Sequence, residues 1–145
     1  MEGLPELQEL NMYANRLNRV LLPENPKLLE KLQVLNIGYN DLTRLPEGLD
    51  QLKGLRILKV MNNFLEVIPG RICEMALRAI DVSSNPILQP PVETCERGLR
   101  AMKRYYRVQR TDEEKSSYGN ARSAKKKNKV VQWMTLRVKV VLRER

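Results

Sequence analysis

This chain of 145 residues has no histidine, and that absence removes the commonest general base, the commonest imidazole metal ligand and any Ser-His or Cys-His nucleophile pair. Its seven glycines are scattered, so no phosphate-cradling glycine-rich loop stands ahead of a lysine. Carboxylates such as Glu47 and Glu74 read as solvated surface charges. No catalytic residue, metal ligand or cofactor is therefore expected. No apolar run approaches the roughly eighteen residues that a membrane-spanning helix needs. The start, Met1-Glu2-Gly3-Leu4-Pro5-Glu6, is acidic and broken by proline, unlike a signal peptide, and no Asn-x-Ser/Thr acceptor occurs. The two cysteines, Cys73 and Cys95, do not form the cysteine-rich flank of a secreted domain. Reduced, packed thiols in a cytoplasmic protein are expected, with a disulfide as the alternative.

What is present is a phrase said four times. Leu7, Leu10, Met12, Asn15 and Leu17 are followed by Leu32, Leu35, Ile37, Asn40 and Leu42, by Leu55, Leu58, Val60, Asn63 and Leu65, and by Leu77, Ile80, Val82, Asn85 and Ile87. All twenty positions hold the residue class of the pattern Leu-x-x-Leu-x-Leu-x-x-Asn-x-Leu, with starts 25, 23 and 22 residues apart. This is a leucine-rich repeat, and it predicts a short α/β solenoid, a curved array whose strands stack into a parallel concave sheet. Alternating Leu-x-Leu turns one face of each strand inward. The asparagine turns the chain after the strand, where its amide satisfies backbone groups that would otherwise be buried unpaired. Asn15, Asn40, Asn63 and Asn85 are therefore structural. Leu45, Leu49 and Leu52, and likewise Ile68, Ile72 and Met75, are expected to carry the chain back along an irregular or 3₁₀-like path and to belong to the core.

The repeats fill residues 1–91, as 7–31, 32–54, 55–76 and 77–91. Nothing in the sequence covers the first of them, so Leu7, Leu10 and Met12 are expected to meet water on one side. Beyond Pro90-Pro91, residues 92–110 read as a capping helix, because Val92, Cys95, Leu99, Met102 and Tyr106 fall three and four apart. Arg97, Arg100, Lys103, Arg104, Arg107 and Arg110 mark its outer face. Residues 111–129 are polar and expected to be disordered, and 130–145 form a terminus in which alternation at Met134, Leu136, Val138, Val140 and Leu142 suggests a strand, with a helix as the alternative.

Charge is divided along the chain. Met1 to Glu96 holds ten Lys/Arg against thirteen Asp/Glu, and Arg97 to Arg145 holds sixteen against four. Arg100, Arg104, Arg107, Lys125, Lys126, Lys127 and Lys129 could therefore bind an anionic surface, either nucleic acid or acidic lipid.

The positions between the inward leucines list the candidate recognition face in rows. They run Glu9, Val34, Ile57, Ala79; Asn11, Asn36, Lys59, Asp81; Tyr13, Gly38, Met61, Ser83; and Ala14, Tyr39, Asn62, Ser84. Tyr13, Tyr39 and Met61 are the candidate anchor, with Asn36, Asn62, Lys59 and Asp81 supplying orientation and charge.

The stretch LQVLNIGYNDLTRLPEGLDQLKG, Leu32 to Gly54, resembles the 23-residue repeats of the cytoplasmic Ras-group leucine-rich repeat proteins. The ending from Asn85 to Pro91, followed by Glu93 to Gly98 and Met102 to Tyr106, is similar to the terminal repeat and capping helix of plant and protist members. The resemblance spans about Leu4 to Arg110. It implies a non-catalytic protein-interaction module in an intracellular signalling scaffold, with a small GTPase or other signalling protein as partner. Binding of an anionic surface through Arg97 to Lys129 is the alternative.

Overall fold

Short apolar alternation gives short strands. In the computed structural model these are β1 (Glu9–Asn11), β2 (Val34–Asn36), β3 (Ile57–Lys59) and β4 (Ala79–Asp81), one from each phrase. The structure describes residues 6–118, and of 112–118 the backbone alone. The four strands form one parallel sheet in the order β1-β2-β3-β4. Equivalent positions stand in register, so that Leu10, Leu35, Leu58 and Ile80 make one row pointing inward. Leu32, Leu35, Ile37, Leu55, Leu58 and Val60 are wholly buried, each contributing about 1.5–3 kcal/mol relative to an exposed side chain.

Between strands the chain returns by a 3₁₀ turn at Pro26–Leu29, a second at Leu49–Gln51, and a short helix α1 (Gly70–Glu74). Leu45, Leu49, Leu52, Ile68, Ile72 and Met75 are all buried, as their spacing predicts. The third return differs from the expected 3₁₀ path. Pro69, extended at φ −61, starts one α-helical turn whose Ile72 and Cys73 both face the core.

The asparagines tie successive repeats together. Asn40 accepts from the amides of Asn15 and Leu17 at 3.1 and 2.9 Å, and its side-chain nitrogen donates to the carbonyls of Met12, Ile37 and Gly38 at 2.9–3.0 Å. Asn63 accepts from Leu42 N and donates to Ile37 O and Val60 O, each at 3.0 Å. Asn85 repeats the pattern with Leu65, Val60 and Val82. Asn15 has no preceding repeat among the described residues; it is exposed and donates to Tyr13 O at 3.0 Å. No buried side-chain nitrogen or oxygen among the described residues lacks a partner.

At the outer side of β1, Leu7, Leu10, Met12 and Leu17 are half-buried, whereas their counterparts in the second and third repeats are buried. After β4 the expected single helix over 92–110 is two. Helix α2 (Val92–Glu96) ends at Arg97, Gly98 takes the left-handed conformation at φ 80, and α3 (Leu99–Tyr118) begins. The break interrupts the apolar stripe. Val92 is 50% exposed, while Cys95, Leu99 and Tyr106 are half-buried and Met102 is completely buried. Helix α3 also runs to Tyr118, eight residues beyond the boundary expected at Arg110. The segment 111–118 was expected to be disordered and is helical, its Glu and Lys being good helix formers on an established helix. The rest of 111–129 and all of 130–145 lie outside the described residues. Among the described residues no helix is long and apolar enough to cross a membrane.

Candidate interaction face

Parallel register turns the rows of outward residues into a surface. Glu9, Val34, Ile57 and Ala79 stand side by side on consecutive strands, as do Asn11, Asn36, Lys59 and Asp81. Past the strand ends the ladder continues through Ala14 N to Gly38 O, Tyr39 N to Met61 O and Asn62 N to Ser83 O, at 2.8–3.0 Å. That keeps the last two rows aligned with the sheet.

Tyr13 and Tyr39 come together on this surface. Their ring centroids are 4.8 Å apart with the planes tilted by 46°, and the two residues are 43% and 49% exposed. Partial desolvation, then the charge and hydrogen bond of Tyr39, push the Tyr13 phenol above its ordinary range. Met61 lies over Gly38, in the same row as Tyr13, since a Cβ at Gly38 would stand 2.5 Å from Met61 Sδ. The missing side chain at Gly38 is thus the space that Met61 uses.

Tyr39 is held unusually. It adopts φ 55, and so do Ala14, Asn62 and Ser84 within a few degrees (φ 56, 51 and 54), each standing directly before its ladder asparagine. The left-handed region costs a residue with a Cβ roughly 1–2 kcal/mol. Here the neighbouring asparagine bonds hold the corner in place, and it aims the side chain out of the last row of the face. Asn62 is held half-buried in the same way.

The charged and amide row behaves differently from a set of free donors. Asn36 Oδ1 accepts from Gly38 N at 3.2 Å, Asn11 Oδ1 from Tyr13 N at 3.0 Å, and Asp81 Oδ1 from Ser83 N and Ser83 Oγ at 3.0 and 2.6 Å. These are Asx turns that stabilise each strand end. Lys59 replaces the Asx residue in the third repeat and is exposed, on the rung between Asn36 and Asp81.

Of the basic residues, Arg100, Arg104 and Arg107 are exposed on α3. Lys103, read as part of the same outer face, instead is half-buried and donates from Nζ to Met75 O at 3.2 Å. Lys125, Lys126, Lys127 and Lys129 lie outside the described residues. No group of three or more metal-ligating side chains occurs among the described residues.

Sequence reasoning passed over an exposed apolar set on the segments after the ladder asparagines. Phe64, Val67 and Leu88 are 56%, 42% and 74% exposed, and the third and fourth repeats are joined there by Leu88 N to Glu66 O and Ile68 N to Gln89 O. The signal was in the position following each ladder asparagine, where Arg16 and Asp41 give way to Phe64 and Pro86.

Residues 31–52 match the sequence profile of the Leucine Rich Repeat. The chain carries this repeat. It is also similar to Podocan of Mus musculus, with 38% identity over 71 residues, which is 48% of this chain and 11% of that protein. The chain therefore matches about a tenth of the length of that relative. Leucine-rich repeats generally mediate protein-protein interaction, and the parallel sheet with its aligned outward rows is the kind of surface on which they do so.

Proposed function

We propose that this chain is a non-catalytic protein-recognition module, a short solenoid closed after its last repeat by α3, which holds a partner on the concave face of the sheet. The observation that carries the reading is the paired Tyr13 and Tyr39 rings, half-exposed, with Met61 over Gly38 in the row of Tyr13 and the charged Lys59 on the neighbouring row. Aromatic and adaptable side chains of this kind dominate interface energetics while losing little conformational entropy. Lys59 and Asp81 set charge complementarity, and Asn36 and Asn62 supply amide groups at either side of the anchor. The partner is a protein, and an intracellular signalling scaffold of the Ras-group kind is the setting that the repeat sequence suggests.

The test compares proteins retained from a cytosolic extract by the full chain and by the full chain carrying Tyr39→Ala with Lys59→Glu, with circular dichroism checking that both are folded. Loss of specific partners from the folded double variant is the expected result. An unchanged set of partners removes this face from the function.

Exposed Arg100, Arg104 and Arg107 on α3 favour a second reading, in which the basic segment from Arg97 to Lys129 binds nucleic acid or acidic lipid. Counterion release then requires affinity to fall steeply as salt rises, so salt-insensitive association excludes it.

A further inference from the structure

Just before the strands, the second residue of each phrase forms another column, Gln8, Gln33, Arg56 and Arg78. Its rungs are joined by Val34 N to Gln8 O at 3.0 Å, Arg56 N to Gln33 O at 2.8 Å and Arg78 N to Arg56 O at 2.7 Å. The column borders a cavity of about 370 Å³ whose wall includes Lys31, Glu30 and Gly54.

The charges here are arranged at a cost. Like charges on directly opposed strand positions destabilise a sheet, yet two arginines occupy adjacent rungs, and neither makes an ion pair among the described residues. The cation of the preceding repeat is treated differently. Lys31 Nζ donates to both carboxylate oxygens of Glu6, at 2.7 and 2.8 Å, and Glu30 adds its field to the same ammonium. Lys31 is thus ion-paired, and Arg56 and Arg78 are left without a salt-bridge partner among the described residues, with Glu30 the one carboxylate in the cavity wall. Arg56 is also oriented in advance, with one Nη donating to Lys53 O at 2.8 Å and Leu55 O at 2.9 Å. Those two bonds engage a single nitrogen of the five-donor fork and leave the rest of it free of them.

We propose that this cavity is a carboxylate site, in which Arg56 and Arg78 grip an acidic side chain of the protein partner and Gln33 supplies a neutral amide donor. The proposal rests on the protein-recognition reading and extends it, because Val34 and Ile57 belong both to the cavity wall and to the first outward row of the sheet. A partner lying along that row places an aspartate or glutamate within reach of the arginine pair. The fork of a guanidinium matches a carboxylate in two parallel hydrogen bonds, which gives the site its chemistry and its direction.

The test is a titration of the full ¹⁵N-labelled chain, read at the backbone amides of Gln33, Gly54, Arg56 and Arg78. The probes are an acetylated Ser-Glu-Glu-Ser peptide, its Ser-Gln-Gln-Ser counterpart and inorganic phosphate. Saturable shifts at these amides with the glutamate peptide alone are expected, weakened about tenfold by Arg78→Gln, the loss of one charge-assisted pair. Arg78→Gln disturbs no hydrogen bond that positions Arg56, so its effect is free of a folding defect; Arg56→Gln is the harsher second variant. The control Arg100→Gln with Arg104→Gln removes more charge from α3 and is expected to leave the shifts unchanged. No shift at these amides overturns the proposal, as does equal weakening by the α3 control, which would mean attraction by net charge. Saturation by phosphate with no response to the glutamate peptide overturns the assignment to a protein carboxylate. Neither Tyr13 nor Tyr39 lines the cavity, so Tyr39→Ala is expected to leave this titration unchanged, and failure of the site and failure of the recognition face are read separately.

Discussion

The ring of Tyr106 lies against Gly70 so closely that a Cβ there would stand 3.0 Å from Cδ1 and 3.1 Å from Cγ. The hydroxyl of the same tyrosine donates to the carbonyl of Ile68, and Met102, one turn earlier on α3, is wholly buried. A glycine in one repeat and a tyrosine 36 residues later therefore form one contact between α3 and the third repeat.

Gly70→Ala is expected to lower stability by about 1–3 kcal/mol, because the ring must shift from a packed position. Tyr106→Phe keeps the ring and removes the hydroxyl, leaving the Ile68 carbonyl without that donor, at a cost of about 1 kcal/mol. Denaturant unfolding of the full chain measures both. A rise in stability by the roughly 0.4–1 kcal/mol that alanine for glycine gains at an unstrained position would mean that the Tyr106 ring yields freely.

Alkali should unfold the protein for a definable reason. Burial, followed by the charges of Cys73, Tyr105 and Cys95, pushes the Tyr106 phenol well above its ordinary value, so the fold keeps its proton longer than the unfolded chain does. Burial likewise pushes the Cys73 thiol from 9.0 to about 11, with Lys103 opposing the rise. Stability linked to these groups is complete below pH 9, is lost from Cys73 between pH 9 and about 11, and is lost from Tyr106 above pH 10. Tyr106→Phe should flatten the upper part of a plot of unfolding free energy against pH, and Cys73→Ala the lower part.

The same thiol should be chemically inert. At pH 8, alkylation followed by peptide mass spectrometry is expected to modify Cys95, which is half-buried, well before Cys73, which is 2% exposed. Faster labelling of Cys73 would show that the third return opens readily.

The ladder asparagines should not be equal. Asn63→Ala abandons Leu42 N, Ile37 O and Val60 O inside the core and is expected to cost about 2–4 kcal/mol, whereas Asn15→Ala loses one exposed bond and should cost about 0.5 kcal/mol. Equal costs would refute the inter-repeat role assigned to the buried amides.

Two glycines separate conformational from steric cost. At Gly48, φ 76 disfavours any side chain but nothing lies within 4 Å of a Cβ, so Gly48→Ala should cost about 1 kcal/mol. At Gly54 a Cβ would stand 2.5 Å from Glu30 O and 3.0 Å from Leu32 O, both backbone atoms that cannot swing aside, so Gly54→Ala should cost about 2–3 kcal/mol. Thermal unfolding of the two variants side by side decides this.

The spacing of Leu, Asn and the aliphatics determined the repeats, their register and the buried returns, because a strand alternates with period two and an eleven-residue phrase repeated in register leaves one way to bury its leucines. Rows such as Asn11, Asn36, Lys59 and Asp81 were legible for the same reason, and so was the half-buried first repeat. Which way a side chain turns within its row was not legible. Asn36 and Asp81 fold back on their own strand ends, Met61 lies over Gly38, and Tyr39 is aimed by a left-handed backbone, all outcomes of hydrogen bonds and space that appear only when repeats are stacked. The helical stripe from Val92 to Tyr106 failed at Gly98 because a spacing of three and four describes an unbroken helix, and a glycine that can adopt φ 80 lets the chain turn between two. Tertiary structure alone placed Tyr106 onto Gly70, since the two stand outside the repeated phrase and 36 residues apart, and meet only after α3 has folded back on the third repeat.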